Sequence, residues 1–223
     1  MNPTDHTANL ATALASPNSS SRLQAAMTAG THPRPDYVEA LVARSGTEPD
    51  FLVRDTLTWA LVMHPLDAVL PRVLAELDSE NPRAVSQALH TLSKLGDARA
   101  WPAITDAHLH SADDDIARTA WRAAAAVAPA TEHPRLAAAL VSELGRGDID
   151  TMRSLSRVLV SLGEAATGPL AAAAAEATAR DNDAALAHAR ATERLIADPD
   201  ASFALDPADA ARLARALSPS SGS

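Results

Sequence analysis

The side chains best placed to do chemistry fall in one row, four residues after a recurring anchor: Thr58, His90, Arg122, Arg157 and Thr192. Beside it run Asp55, Gln87, Thr119 and Ser154, and then Val62, Lys94, Ala126 and Ser161. The chain's single Lys, a His and two Arg would therefore project together. Arg122 and Arg157 can clamp a carboxylate or phosphate through paired N–H donors. His90 would tune that clamp with pH, and Trp59, one position round from Thr58, would add a flat apolar wall. The competing reading is a solvated helix face whose cations are neutralised by nearby acids.

Other constellations carry less. His108 and His110 lie two apart near Asp106, and that spacing does not converge on a helix as metal ligands three or four apart do. The run Asp113 to Asp115 lacks the downstream Gly and Glu of a calcium loop and reads as a helix cap. Neither a G-x-S-x-G elbow nor a phosphate-binding G-x-x-x-x-G-K-S/T loop occurs. No catalytic residue, metal site or cofactor is expected. Trp121, aligned with Leu57 and Leu89, reads as core, and Trp101 as a packing anchor.

The chain of 223 residues carries 19 Lys+Arg against 28 Asp+Glu, a net charge of −9, and no Cys. That balance argues against a general nucleic-acid binder, which needs a basic footprint. Absence of Cys excludes a disulfide framework and makes the cytoplasm the simplest compartment. No apolar run reaches the roughly 18 residues that span a bilayer, and the N-terminus shows no secretory pattern. The 52 alanines, with 3% aromatic residues, favour helix over strand. Together with Arg far outnumbering Lys, they suggest a high-GC bacterial genome.

These side chains need elements to hold them, and an internal repeat supplies those elements. Anchors at positions 22, 54, 86, 118, 153 and 188 are separated by 32, 32, 32, 35 and 35 residues. In each copy apolar residues fall three or four apart, as Val53, Leu57, Ala60 and Leu61 do, marking one face of a helix. Asp50, Asn81, Asp113 to Asp115, Asp148 and Asn182 precede these helices as starters. A first helix leads each pair: Asp36 to Arg44, Asp67 to Leu77, Arg99 to Leu109, Pro134 to Leu144 and Gly168 to Ala179. Pro35, Pro65, Pro102, Pro134 and Pro169 lie near their starts. Gly96 and Gly163 suit left-handed closing positions. The expected fold is all-α: an α-solenoid of about six helical hairpins in one domain, 1–217. The repeats lie near 5–32, 35–64, 65–96, 97–129, 133–163 and 165–198, followed by a capping helix at 206–217 and a disordered tail at 218–223.

Stretches such as EPDFLVRDTLTWAL, SQALHTLSKLGDARAWPAI and DDDIARTAWRAA resemble HEAT-repeat proteins, and more narrowly small actinobacterial ones. The resemblance runs from about residue 5 to 200 and departs at Ser86, where Arg would stand, and in the degenerate sixth copy. It implies structural ladder roles for Arg22, Arg54, Arg118 and Arg153, pairing helix Arg with turn Asp. It also implies that the second helices line a concave binding face. Some such proteins sit beside or are fused to MerR-type regulators. Bilin-lyase and DNA-glycosylase solenoids share the architecture but match at no functional residue.

The expected function is a non-enzymatic binding scaffold whose concave face holds a protein or peptide, a transcription regulator being the partner the resemblance suggests. Asp55, Thr58, Trp59, Gln87, His90, Lys94, Arg122 and Arg157 are its expected binding residues. One alternative is a receptor or sequestering protein for a small anionic, partly aromatic ligand. A second is a lyase-like solenoid enzyme. Neither nucleic acid nor membrane is an expected partner, and nothing in the sequence marks an oligomeric state.

Overall fold

The computed structural model describes residues 3–198 and 203–205, and the regular structure among them is all helical. In chain order the α-helices are α1 (Pro3–Leu14), α2 (Ser19–Thr31), α3 (Val38–Ser45), α4 (Phe51–Met63), α5 (Leu66–Ala75) and α6 (Pro82–Leu95). They continue as α7 (Asp106–Leu109), α8 (Asp114–Val127), α9 (His133–Leu140), α10 (Ile149–Ser161), α11 (Glu164–Ala179) and α12 (Asp183–Ala197). The expected capping helix at 206–217 and tail at 218–223 lie outside the described residues. Among the described residues, no helix is long and apolar enough to cross a membrane.

The chain clusters into two compact units. Unit 1 runs to His108 and takes in Arg122–Val127, while unit 2 comprises Leu109–Trp121 and resumes at Ala128. Within unit 1, α1 packs on α3 and α3 on α5, as α2 packs on α4 and α4 on α6. Within unit 2, α9 packs on α11 and α10 on α12. First helices thus stack on first helices and second on second, the arrangement of a helical repeat. Leucines fill the space between them: Leu41, Leu57, Leu61, Leu89 and Leu92 in unit 1, and Leu136, Leu140, Leu155, Leu159 and Leu170 in unit 2. Trp121 is fully buried, as its alignment with Leu57 implied, and its indole N–H donates to the Leu109 carbonyl at 2.8 Å.

Each second helix starts on an Asn or Asp whose side chain accepts amide protons of the first turn. Asn18 takes Ser20 N–H at 2.8 Å, Asp50 takes Leu52 at 2.9 Å, and Asn81 takes Arg83 at 3.1 Å. Asp113 takes Asp115 at 2.9 Å, Asp148 takes Thr151 at 2.8 Å, and Asn182 takes Ala185 at 3.1 Å. First helices are less regular. The helix expected over Arg99 to Leu109 is instead a 3-10 segment, Ala98–Ala103, followed by the short α7. Pro102 sits inside the 3-10 segment and has no N–H for an α-helical bond. Conversely α11 begins four residues before the expected Gly168, after Gly163 at φ +60°, and carries Pro169 internally.

Polar contacts repeat the sequence period. Arg72 pairs with Glu39, 33 residues away, and Arg99 with Asp67, 32 away, in unit 1. In unit 2, His110 pairs with Glu143 and Arg146 with Asp114 at the same separations. The expected pairing of helix Arg with turn Asp persists as charge interaction, Arg118 acting on the capping Asp148 and Asp50 on Arg22. Arg22 also grips the buried Glu48 with Nε and Nη2, each at 2.7 Å, while Arg44 adds a bond at 2.8 Å. Arg54 donates to the Glu48 and Pro49 carbonyls, and Arg153 pairs with Asp150 on its own helix. Burial alone would raise the Glu48 pKa, yet Arg22, the Asp50 amide and Arg44 together bring it down to about 2.

Candidate functional site

The best-defined part of the expected binding row lies in unit 1, on α4, α6 and the last turns of α8. Asp55 and Trp59 are exposed on one face of α4, Gln87 and His90 are half-buried on α6, and Lys94 and Arg122 are exposed. His90 feels its neighbours. Burial lowers its pKa, the charges of Arg122 and Lys94 lower it further, and Asp55 opposes them. Those couplings place three expected residues, Asp55, Lys94 and Arg122, around the His90 imidazole. Arg157 is also exposed, on α10 of unit 2.

Thr58 departs from expectation. It is 2% exposed, and its Oγ1 has no hydrogen-bond partner. A helix turns about 100° per residue, so with Trp59 facing outward its predecessor is tucked toward the packed side. The outward face of α4 therefore runs through Asp55, Trp59, Val62 and Met63, the last three 41%, 37% and 49% exposed. Met27, at the equivalent position to Trp59 on α2, is 46% exposed. Thr119, Ser154 and Thr192, expected in the outward rows, are buried as well.

Gly30, which the repeat pattern does not single out, packs against Trp59. A Cβ built on this glycine would overlap Cζ3 of Trp59 and lie 2.9 Å from the Ala60 Cα. The indole therefore lies against bare backbone of α2, which seats the ring while leaving part of it exposed. A glycine inside a helix was the available signal, since it costs about 1 kcal/mol relative to Ala unless packing requires it.

Two other places invite chemistry. A cleft of about 630 Å³ opens in the first hairpin, with His6, Asn9, Leu10, Asn18, Gln24 and Tyr37 among its lining residues. None of its lining residues is Asp, Glu, Lys or Arg, so it offers hydrogen bonds and apolar floor without formal charge. In unit 2, Ser156 Oγ lies 2.9 Å from His188 Nε2, the reach of a nucleophile and its base. The proton positions exclude that role. Gly145 N–H donates to His188 Nδ1 at 3.0 Å, so the neutral ring carries its proton on Nε2 and donates to Ser156. Ser156 then donates to Thr192 at 2.7 Å, and Thr192 to the His188 carbonyl at 2.9 Å. This closed circuit is wholly buried, and burial pushes the His188 pKa down to about 4.

No family model matches the chain, and no curated protein matches it. Among solved structures it is similar to two engineered proteins from a structural genomics consortium. The first is 20% identical over 86% of this chain and 98% of its own, with a TM-score of 0.45. The second is 20% identical over 86% of this chain, with a TM-score of 0.46. This chain covers 58% of that second protein.

Proposed function

We propose that this chain is a HEAT-repeat type binding scaffold, without enzymatic activity, whose second-helix face holds a protein or peptide partner. One observation carries the reading. Trp59, Val62 and Met63 stay exposed on α4 while Lys94 and Arg122 stand exposed on the helices that follow. A contiguous apolar patch rimmed by polar groups is the usual mark of an interaction surface. A transcription regulator is the partner class that the sequence resemblance favours, and a cytoplasmic location rests on the Cys-free composition.

The small-ligand alternative is less well supported. The 630 Å³ cleft has the volume of a ligand pocket but no cation, whereas the cations stand on an exposed helix face. The enzyme alternative finds little support in the Ser156–His188 pair, whose protons are committed to a buried circuit.

Photo-crosslinking in cells of the source organism tests the scaffold reading. A crosslinking residue at Val62 should capture a discrete protein, and one at Ala43, exposed on α3, should not. Trp59→Ala should abolish the adduct while helical circular dichroism persists. Equal adducts from both positions, none from Val62, or a stoichiometric small molecule in native mass spectra would overturn it.

A further inference from the structure

The face described above is not uniform, and its asymmetry bears on the partner's chemistry. Its α4 side is apolar: Trp59, Val62 and Met63, with Met27 on the neighbouring α2. Its α6 and α8 side is cationic, with Lys94 and Arg122 close enough to His90 to lower its pKa. Among the described residues acting on that imidazole, Asp55 on α4 opposes the two cations. In a chain of net charge −9, the exposed Lys94 beside an aromatic anchor favours an anionic partner there.

The anchor is held in place before any partner arrives. Because Gly30 has no Cβ, the Trp59 ring rests against α2 and has little freedom to lose on binding. Met27 and Met63 beside it are unbranched and polarisable, suited to covering an apolar side chain of varied shape.

Resting on the scaffold reading above, we infer that the partner is an amphipathic acidic peptide segment. Its large apolar side chain covers Trp59, and its Asp or Glu residues meet Lys94 and Arg122. Packed helices such as α4 and α6 lie about 8–10 Å apart. A helical partner rises about 5.4 Å per turn, so the carboxylate that meets Lys94 falls one or two turns from the apolar anchor, and one that meets Arg122, a further helix away, falls about two turns beyond that. An extended partner covers the same span in about three residues. Like-charge repulsion disfavours a basic segment, and carboxylates offer charge-assisted hydrogen bonds to both cations.

Selection from a randomised peptide display library against the full-length chain, with counter-selection on Trp59→Ala, tests this. The expected consensus has an aromatic or aliphatic residue followed one or two turns later by Asp or Glu. Lys94→Glu should weaken a selected peptide by about tenfold or more, and replacing the peptide's acid with Lys should restore binding to that variant. A basic or neutral consensus, binding indifferent to Lys94→Glu and Trp59→Ala, or no enrichment would overturn the inference. A concentration-dependent dimer lost on Trp59→Ala would also overturn it, assigning the face to a second copy. The Val62 crosslink keeps the two proposals apart. A protein adduct there with a non-acidic consensus sinks the acidic partner alone, and absence of both sinks the scaffold.

Discussion

Both units bury polar groups between stacked hairpins, but by opposite means. Unit 1 buries charge: the Glu48 carboxylate, fully enclosed, accepts from Arg22, Arg44 and the Asp50 amide, and its carbonyl accepts from Arg54 and Arg83. Unit 2 buries a neutral circuit of His188, Ser156 and Thr192 closed by the Gly145 amide. The fourth position after the anchor varies within each unit. In unit 1 it is buried Ala26 and Thr58, half-buried His90 and exposed Arg122, and in unit 2 it is exposed Arg157 and buried Thr192. Packing against the neighbouring helices, not the repeat position itself, decides whether the side chain faces solvent or the core.

The largest effect should come from breaking the charged solution. Glu48→Gln leaves Arg22 and Arg44 without their anion, and removing one partner of a buried pair costs about 3–5 kcal/mol. Hydrogen exchange through α2, α3 and α4 should speed accordingly, whereas protection of α10 and α12 should change little. Uniform loss across both units would refute the separation.

Acid should dismantle the two solutions in order. His188 has a folded pKa of about 4 against an ordinary value of 6.5, so the unfolded chain binds more protons between these limits. Its contribution is therefore complete above about pH 6.5 and lost as pH falls toward 4, on the order of 3 kcal/mol in all. Glu48, lowered from 4.5 to about 2, contributes fully above about pH 4.5 and is lost as pH falls toward 2. Exchange measured from pH 7 to 3 should show α10 and α12 loosening before α2 and α4. The reverse order would contradict the assigned protonation states.

These contrasts were unevenly legible in the sequence. The stacked hairpins were readable because anchors and caps are local: Asp50, Asn81, Asp148 and Asn182 sit where the chain must start a helix. The Pro102 break was misread because the apolar spacing of Arg99 to Leu109 continues across it. Thr58 was misplaced because apolar spacing fixes a helix's buried side only to within a residue, and a neutral threonine does not show which side it takes. Glu48 lies outside the repeat phase, 26 residues from Arg22, and the Gly145 amide reaches His188 from 43 residues away. Pairings of that kind follow from packing, which the local pattern does not encode.

A smaller effect separates the seat of Trp59 from the core. Gly30→Ala adds a methyl group whose nearest neighbours are the Trp59 ring and the Ala60 backbone. Overpacking of this kind costs about 1–3 kcal/mol, offset in part by alanine's higher helix propensity. The expected result is a modest fall in melting temperature with a red-shifted Trp emission as the ring is lifted toward water. An unchanged emission spectrum would show that Trp59 is not held by this contact.

The smallest effect on stability should be at Lys94, and that smallness is what marks recognition. Lys94 is exposed in the last turn of α6, just before Gly96 closes the helix at φ +63°. There its charge gains a few tenths of a kcal/mol from the helix dipole, and surface substitutions cost no more than about 0.5 kcal/mol. Lys94→Ala should therefore melt almost with the unaltered chain while weakening an acidic peptide. Its equivalent in unit 2, Ser161, turns its hydroxyl to the Val158 carbonyl, so Ser161→Ala should leave peptide binding unchanged. If Lys94→Ala destabilised as much as Gly30→Ala, the cation would belong to the framework and not to a recognition face.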